Sequence, residues 1–178
     1  MITRYEGKLV NLRRVTKSDA KDIARGAKDR LVSRYMYIPY PYGLQDAYDF
    51  IKLDQKWWRG KSNRNFGLEH PETGRIMGMI GLMNLSARDR SGEIGYWLAR
   101  PYWGYGIMPE ACRLCLKFAF KELKLKRVYA HTRLENEPSQ RVLEKLGFSK
   151  EGCLRKAAFQ RNRYHDLFLF GLVREEFK

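Results

Sequence analysis

Gly92-Glu93-Ile94-Gly95-Tyr96-Trp97-Leu98-Ala99-Arg100-Pro101-Tyr102-Trp103-Gly104-Tyr105-Gly106-Ile107-Met108-Pro109-Glu110-Ala111 is the stretch that decides the fold. Gly92–Arg100 reads as a strand. A Gly-x-Gly turn follows. Apolar residues at Met108, Ala111, Cys112, Cys115, Phe118, Ala119 and Leu123 then recur at helical spacing, which predicts a helix over Ile107–Leu123. Gly104 and Gly106 allow the backbone to bend closely around a ligand. The unpaired N–H groups of the helix's first turn point into that bend, and with the helix dipole they make an anion site. Pro109 agrees, because a first-turn proline gives up only an unpaired N–H. A tight strand-to-helix turn with no ligand explains the two glycines equally well. The pattern has no third glycine and no Gly-Lys-Ser/Thr, so it is neither a dinucleotide nor a P-loop fingerprint.

Downstream, Arg127–His131 reads as a short strand and Pro138–Leu146 as a short helix that Gly147 ends. Phe148–Leu154 and Tyr164–Val173 read as two more strands. Upstream, Lys8–Val15 alternates as a strand does, and Ser18 is placed to cap a helix over Asp19–Lys28. Tyr35–Gly43 holds two prolines and four tyrosines and is expected to be a loop. Leu44–Arg59 returns to helical spacing. Asn65–Glu69 and Ile76–Leu85 are strands flanking the turn signal Pro71-Glu72-Thr73-Gly74. The order β-α-α-β-β-β-α-β-α-β-β predicts a mixed α/β sheet in one domain, residues 1–178.

Composition narrows the class. With 44 % apolar and 13 % aromatic residues over 178 positions, the chain can bury a core and is not disordered. Lys and Arg number 35 against 20 Asp and Glu, a net charge of +15. That balance favours anionic partners, yet the cations form no block or tail. Three cysteines give no closed disulfide set. Met1–Gly7 has no apolar signal core, and the longest apolar stretch, Leu167–Val173, is strand-sized. A cytoplasmic protein with no membrane segment is expected.

A second segment, Asn136-Glu137-Pro138-Ser139-Gln140-Arg141-Val142-Leu143-Glu144-Lys145-Leu146-Gly147-Phe148, completes a pattern. Together the two segments resemble the GNAT superfamily of acetyl-CoA-dependent N-acetyltransferases. Glu93–Ala111 resembles its coenzyme A motif, and Asn136–Phe148 its Asn-x-x-Ser…Lys-Leu-Gly-Phe motif. The ending Glu151–Leu172 and the opening Leu9–Ile23 are similar to the RimJ/RimL branch, the ribosomal-protein N-terminal acetyltransferases. The resemblance runs from about residue 8 to 173. It implies a twisted mixed sheet with helices on both faces, whose fourth and fifth strands splay around the pantetheine arm. By the same resemblance Trp97 and Leu98 lie along the pantetheine. The N–H groups of Gly104, Tyr105, Gly106, Ile107 and Met108 hold the pyrophosphate. Asn136 contacts the pantetheine amides, and Lys145 reaches the nucleotide end. Three positions depart from the family pattern: Pro101 and Tyr105 replace residues that often contact phosphate, and Leu143 replaces a tyrosine acid.

The chemistry asks for little. A neutral amine attacks a thioester carbonyl, so an N–H for the oxyanion is needed, and Leu98 near the splay is the candidate. An incoming ammonium must lose a proton. Glu93 is the candidate base, acting directly or through water; a solvated carboxylate at a strand start is the competing reading. Ser139, by the RimL-like pattern, protonates or hydrogen-bonds the departing thiolate. A helix-terminal serine bonding local backbone competes with that role. Tyr35, Tyr37, Tyr40 and Tyr42 line an acceptor pocket or simply pack on the sheet. Cys112-x-x-Cys115 lies on one apolar helix stripe and reads as core, and no metal site is expected. The expected activity is acetyl transfer from acetyl-CoA to a primary amine, either a protein N-terminus or a small molecule, in a ternary complex. Ribosome association and a homodimer are compatible with it. A non-catalytic basic RNA- or ribosome-binding protein that keeps the fold is the alternative.

Overall fold

The computed structural model describes residues 4–178. Eight strands form one sheet in the order β1-β2-β3-β4-β5-β6-β8-β7. They are β1 Arg4–Tyr5, β2 Asn11–Arg13, β3 Arg64–Glu69, β4 Ile76–Ser86, β5 Ser91–Leu98, β6 Arg127–Arg133, β7 Ser149–Gln160 and β8 Arg163–Val173. The helices are α1 Ala20–Lys28, α2 Arg30–Ser33, α3 Leu44–Gly60, α4 Ile107–Lys117 and α5 Glu137–Lys145. They cover both faces. On one face α4 and α5 bury Ala111, Cys112, Cys115, Leu116 and Leu143 against Leu68, Ile80, Ile94 and Val128. On the other, α1 and α3 bury Ile23, Ala27, Ala47 and Ile51 against Ile76 and Met79. A strand covered on both faces has no solvent side, so Ile76–Leu82 is a continuous apolar run rather than an alternation.

Every neighbouring pair is antiparallel except β5 and β6. A parallel pair needs a long crossover, and here the Gly-x-Gly turn and α4 supply it. The pair is short: Ser91, Gly92 and Glu93 oppose Arg127, Val128 and Tyr129. Beyond that the strands part, which is the expected splay. Their facing edges, Ile94–Leu98 and Ala130–Arg133, have no strand partner.

Several local expectations are corrected. The strand expected over Lys8–Val15 shrinks to Asn11–Arg13, because the Lys8 and Leu9 N–H groups donate to Glu110 instead (2.7 and 2.8 Å). The short strand β1 and the single turn α2 had no sequence signal. Thr16 rather than Ser18 opens the first helical turn: Asp19 Oδ2 accepts the Thr16 N–H at 2.7 Å, while the Ser18 hydroxyl meets that of Thr16. The long helix stays α-helical to Lys117 and then widens into a π turn over Phe118–Glu122. That widening buries three consecutive residues, Phe118, Ala119 and Phe120, on one side, which a 3.6-residue repeat cannot do. Gly147, at φ +88°, ends α5 as expected; its N–H donates to Glu144 O and that of Phe148 to Leu143 O.

Candidate active site

The turn between β5 and α4 is built by two left-handed residues, Gly104 (φ +87°) and Gly106 (φ +77°). A Cβ on Gly104 would meet nothing within 4 Å, and one on Gly106 only Leu9 Cδ1 at 3.7 Å. The glycines are therefore required by backbone conformation rather than by crowding, and the turn opens outward. The first intrahelical bond runs from Glu110 N–H to Gly106 O. Among the described residues, no acceptor faces the N–H groups of Gly104, Tyr105, Gly106, Ile107 or Met108. The Ile107 and Met108 side chains are buried in the core while that of Tyr105 is exposed, so these residues present main-chain donors, a cradle for an anion. Arg100 takes no part, since it pairs with Asp29 at 3.2 Å.

The ladder between β4 and β5 fixes which groups face the splay. Ala99 N–H donates to Met77 O at 2.8 Å. Bonded pairs alternate along an antiparallel ladder, so Trp97, opposite Met79, also turns its main chain toward β4. The N–H and C=O groups of Ile94, Tyr96 and Leu98 turn the other way, into the gap. Leu98 O is taken by Trp103 Nε1 at 2.6 Å, and the Leu98 N–H remains directed at the slot. The Trp97 side chain lies against α1, where a Cβ on Gly26 would come within 2.7 Å of its ring.

Two side-chain clusters flank the gap. On one face, Glu93 Oε1 lies 2.8 Å from His131 Nδ1 and Glu93 Oε2 accepts from Asn84 Nδ2 at 2.9 Å. Asn84 sits at the irregularity between Met83 and Ser86 that turns it toward Glu93. Both carboxylate oxygens are engaged, and because a carboxylate only accepts, the Glu93 contact favours a hydrogen on His131 Nδ1. On the opposite face, the Tyr96 hydroxyl lies 3.0 Å from Ser139 Oγ and joins β5 to α5. Burial pushes the Tyr96 phenol well above its usual range, so it stays protonated. Asn136 caps α5, its Oδ1 accepting the Ser139 N–H at 3.4 Å. Leu143 is fully buried. Lys145 is exposed in the last turn of α5 and makes no ion pair among the described residues. Cys112 and Cys115 are buried in the core; burial pushes the Cys115 thiol up to about 12 and raises that of Cys112 well above its usual range.

The loop with four tyrosines roofs this end of the sheet. The Tyr35 hydroxyl donates to Glu135 O at 3.2 Å, and Gln160 Nε2 donates to Met36 O. Tyr42 is buried in the α1–α3 core, whereas Tyr37 and Tyr40 are exposed. The sequence assigned no role to His131, Arg133 or Gln160. The alternation in Arg127–Arg133 puts Tyr129, His131 and Arg133 on one face, but only the register shows that this face is also Glu93's.

Comparison with known proteins agrees with this geometry. The sequence profile of the acetyltransferase (GNAT) domain matches residues 10–149. The N-acetyltransferase p20 of Bacillus licheniformis is 32 % identical over 178 residues, 99 % of each chain. The ribosomal-protein-serine acetyltransferase of Escherichia coli is 30 % identical over 98 residues, 55 % of each chain. The chain spans about half the length of several curated relatives that it matches. RimJ of Mycobacterium smegmatis, solved in complex with CoA-disulfide, superposes with a TM-score of 0.87 at 26 % identity, over 94 % of this chain and 83 % of that one. Among the described residues, no helix is long and apolar enough to cross a membrane.

Proposed function

The chain belongs to the GNAT acetyltransferase family, and from that premise we propose that it acetylates a protein N-terminal α-amine from acetyl-CoA, with both substrates bound together. Membership makes it an N-acetyltransferase, which sets aside the non-catalytic RNA-binding alternative. One observation carries the rest: the unpaired edges of β5 and β6 converge on the acceptor-free N–H groups of Gly104–Met108. A pantetheine arm has amides to bond such edges, which would otherwise leave backbone donors and acceptors unmatched, and its pyrophosphate suits the cradle.

When bound, acetyl-CoA supplies a thioester carbonyl and a thiolate leaving group. Leu98 N–H donates to the carbonyl oxygen as charge gathers there. His131 Nε2 takes the proton of the incoming ammonium, and Glu93 holds the imidazole in that tautomer and steadies its charge. Tyr96 and Ser139, both protonated, hydrogen-bond the departing thiolate, which takes up the proton that the nitrogen sheds as the amide forms. The α-amine is favoured as acceptor because its pKa of about 7.7–8.0 leaves more of it neutral than the ~10.4 of Lys. The name of the Escherichia coli relative, a ribosomal-protein-serine acetyltransferase, supports a protein acceptor. The test is turnover of acetyl-CoA with peptides bearing free or blocked N-termini. Acetylation confined to the free α-amine is expected; acetylation of lysine side chains or small amines alone refutes the reading.

A further inference from the structure

Four arginines crowd the end of the acceptor face. Arg34 follows α2, Arg133 ends β6, and Arg161 and Arg163 flank the β7–β8 turn; with Tyr35 and Gln160 they line a cavity of about 70 Å³. Glu135 is the one carboxylate in its lining. Among the described residues none of the four arginines makes a salt bridge. Arg133 is only 5 % exposed, and its guanidinium is held by Gln160 Oε1. Arg34 lies 5.2 Å over the Tyr35 ring and Arg161 5.5 Å over that of Tyr40. Arg133 is positioned by an amide, Arg34 and Arg161 by aromatic faces, and Arg163 by His165 Nε2 at 3.2 Å, with no carboxylate paired to any of them; Arg133 is buried and the other three are exposed. For the buried Arg133 the lack of a counter-ion is costly, and an anion entering the cavity relieves it while the three exposed arginines add attraction from its rim. The volume admits one carboxylate.

The position of the cavity sets which carboxylate. Arg133 lies two residues past His131 on the same face of β6, roughly 6.6 Å along the strand. An extended peptide advances ~3.3–3.6 Å per residue, so the side chain of residue two or three reaches that point when the α-amine is at His131. The carboxylate of a free α-amino acid, two bonds from its nitrogen, does not. We propose that the acceptor is a peptide N-terminus with Asp or Glu at its second or third residue, gripped by Arg34, Arg133, Arg161 and Arg163. This rests on the N-terminal acceptor reading above.

The test uses peptides alike except for Glu, Gln or Lys at residues two and three. Each is assayed for kcat/KM with acetyl-CoA and for binding to the CoA-loaded protein by calorimetry. The Glu peptide is expected to exceed its Gln partner roughly tenfold in both readouts, and the Lys peptide to be worst. The advantage shrinks in high salt and narrows toward one in the Arg161→Gln, Arg163→Gln double variant, whose melting temperature serves as the folding control. Acetylation without regard to charge overturns the proposal and leaves the acceptor reading standing. Acetyl-CoA binding with no peptide bound or acetylated overturns both. Free glutamate acetylated better than the Glu peptide overturns the peptide form.

Discussion

Replacing Ser139 by alanine separates a chemical role from a structural one, because the structure divides the two between neighbouring residues. The α5 cap is the Asn136 side chain, which accepts the main-chain N–H of residue 139, and alanine keeps that N–H. What Ser139→Ala removes is the 3.0 Å contact with the Tyr96 hydroxyl. Tyr96 retains the Ser139 carbonyl as an acceptor at 3.3 Å, so no buried hydroxyl is stranded. The loss is one neutral hydrogen bond, about 1 kcal/mol, or roughly 2–4 °C in melting temperature for a chain of this size. If the hydroxyl pair stabilises the departing thiolate, kcat falls by ~10²-fold, the low end for proton-transfer groups since a thiolate already leaves well. Acetyl-CoA affinity stays put. Asn136→Ala is the opposite case: it removes the cap, costs ~0.5–2 kcal/mol, and lowers stability more than the Ser139 variant does. The measurements are stopped assays of kcat, calorimetric Kd for acetyl-CoA and melting curves on the same preparations. Normal kcat in a slightly less stable Ser139→Ala protein would refute the thiolate role.

Three other outcomes are expected. Gly106→Ala strains a residue at φ +77° without a clash, costing about 1–2 kcal/mol, and the shifted cradle weakens acetyl-CoA binding about 10-fold or more; calorimetry showing unchanged affinity contradicts the cradle. His131→Asn lowers kcat/KM by roughly 10²-fold with acetyl-CoA affinity and melting temperature intact; a variant with wild-type kcat/KM contradicts the base role. Asp54 is buried against Asn65, and burial raises its pKa from 3.8 to about 6. The unfolded chain ionises first, so stability is lost as pH rises through that window, by at most about 3 kcal/mol. Asp54→Asn then matches the wild type near pH 4 and exceeds it at pH 7 in denaturant titrations, and equal stabilities at both pH values argue against the shift.

What the sequence revealed of this site depended on range. The Gly-x-Gly turn, the α4 stripe and the Gly147 stop are written in residues a few positions apart, where backbone sterics and periodicity act directly. Even there, the π turn at Phe118–Glu122 shows a stripe whose spacing looks helical although its geometry is not uniform. The Glu93–His131 contact spans 38 residues and depends on the register of a three-residue parallel pair, which no local pattern encodes. The same holds for Tyr96 and Ser139, which meet only because α5 follows a strand that diverges from β5. Glu93 and Ser139 were visible as candidates by type and motif, and the pairing of each with its neighbour was not. The resemblance to a family supplied the splay that links them; periodicity alone gave only a mixed sheet.

The elements of the site follow from one topological event. A sheet that is otherwise antiparallel becomes parallel at β5 and β6, and the crossover that this demands must leave from the carboxyl end of β5. Its helix therefore begins where β5 stops, with unpaired N–H groups beside an unpaired strand edge, the position in which open α/β sheets bind ligands. Because the sheet twists and the parallel pair is short, β6 leaves β5 after Tyr129, which opens the slot and brings Glu93 and His131 to its mouth. Continuing past His131, β6 delivers Arg133 to the cavity under the β7–β8 turn. Extending the parallel pairing toward Leu98 would close the slot, satisfy both edges and stabilise the sheet. The open edges are thus a cost the fold carries, and acetyl-CoA bound as proposed would offset it. Occupancy should therefore raise the melting temperature in proportion to RT ln(1 + [L]/Kd), and the increment should shrink in Gly106→Ala. An equal increment in the variant would mean that the cradle and the slot do not share one ligand.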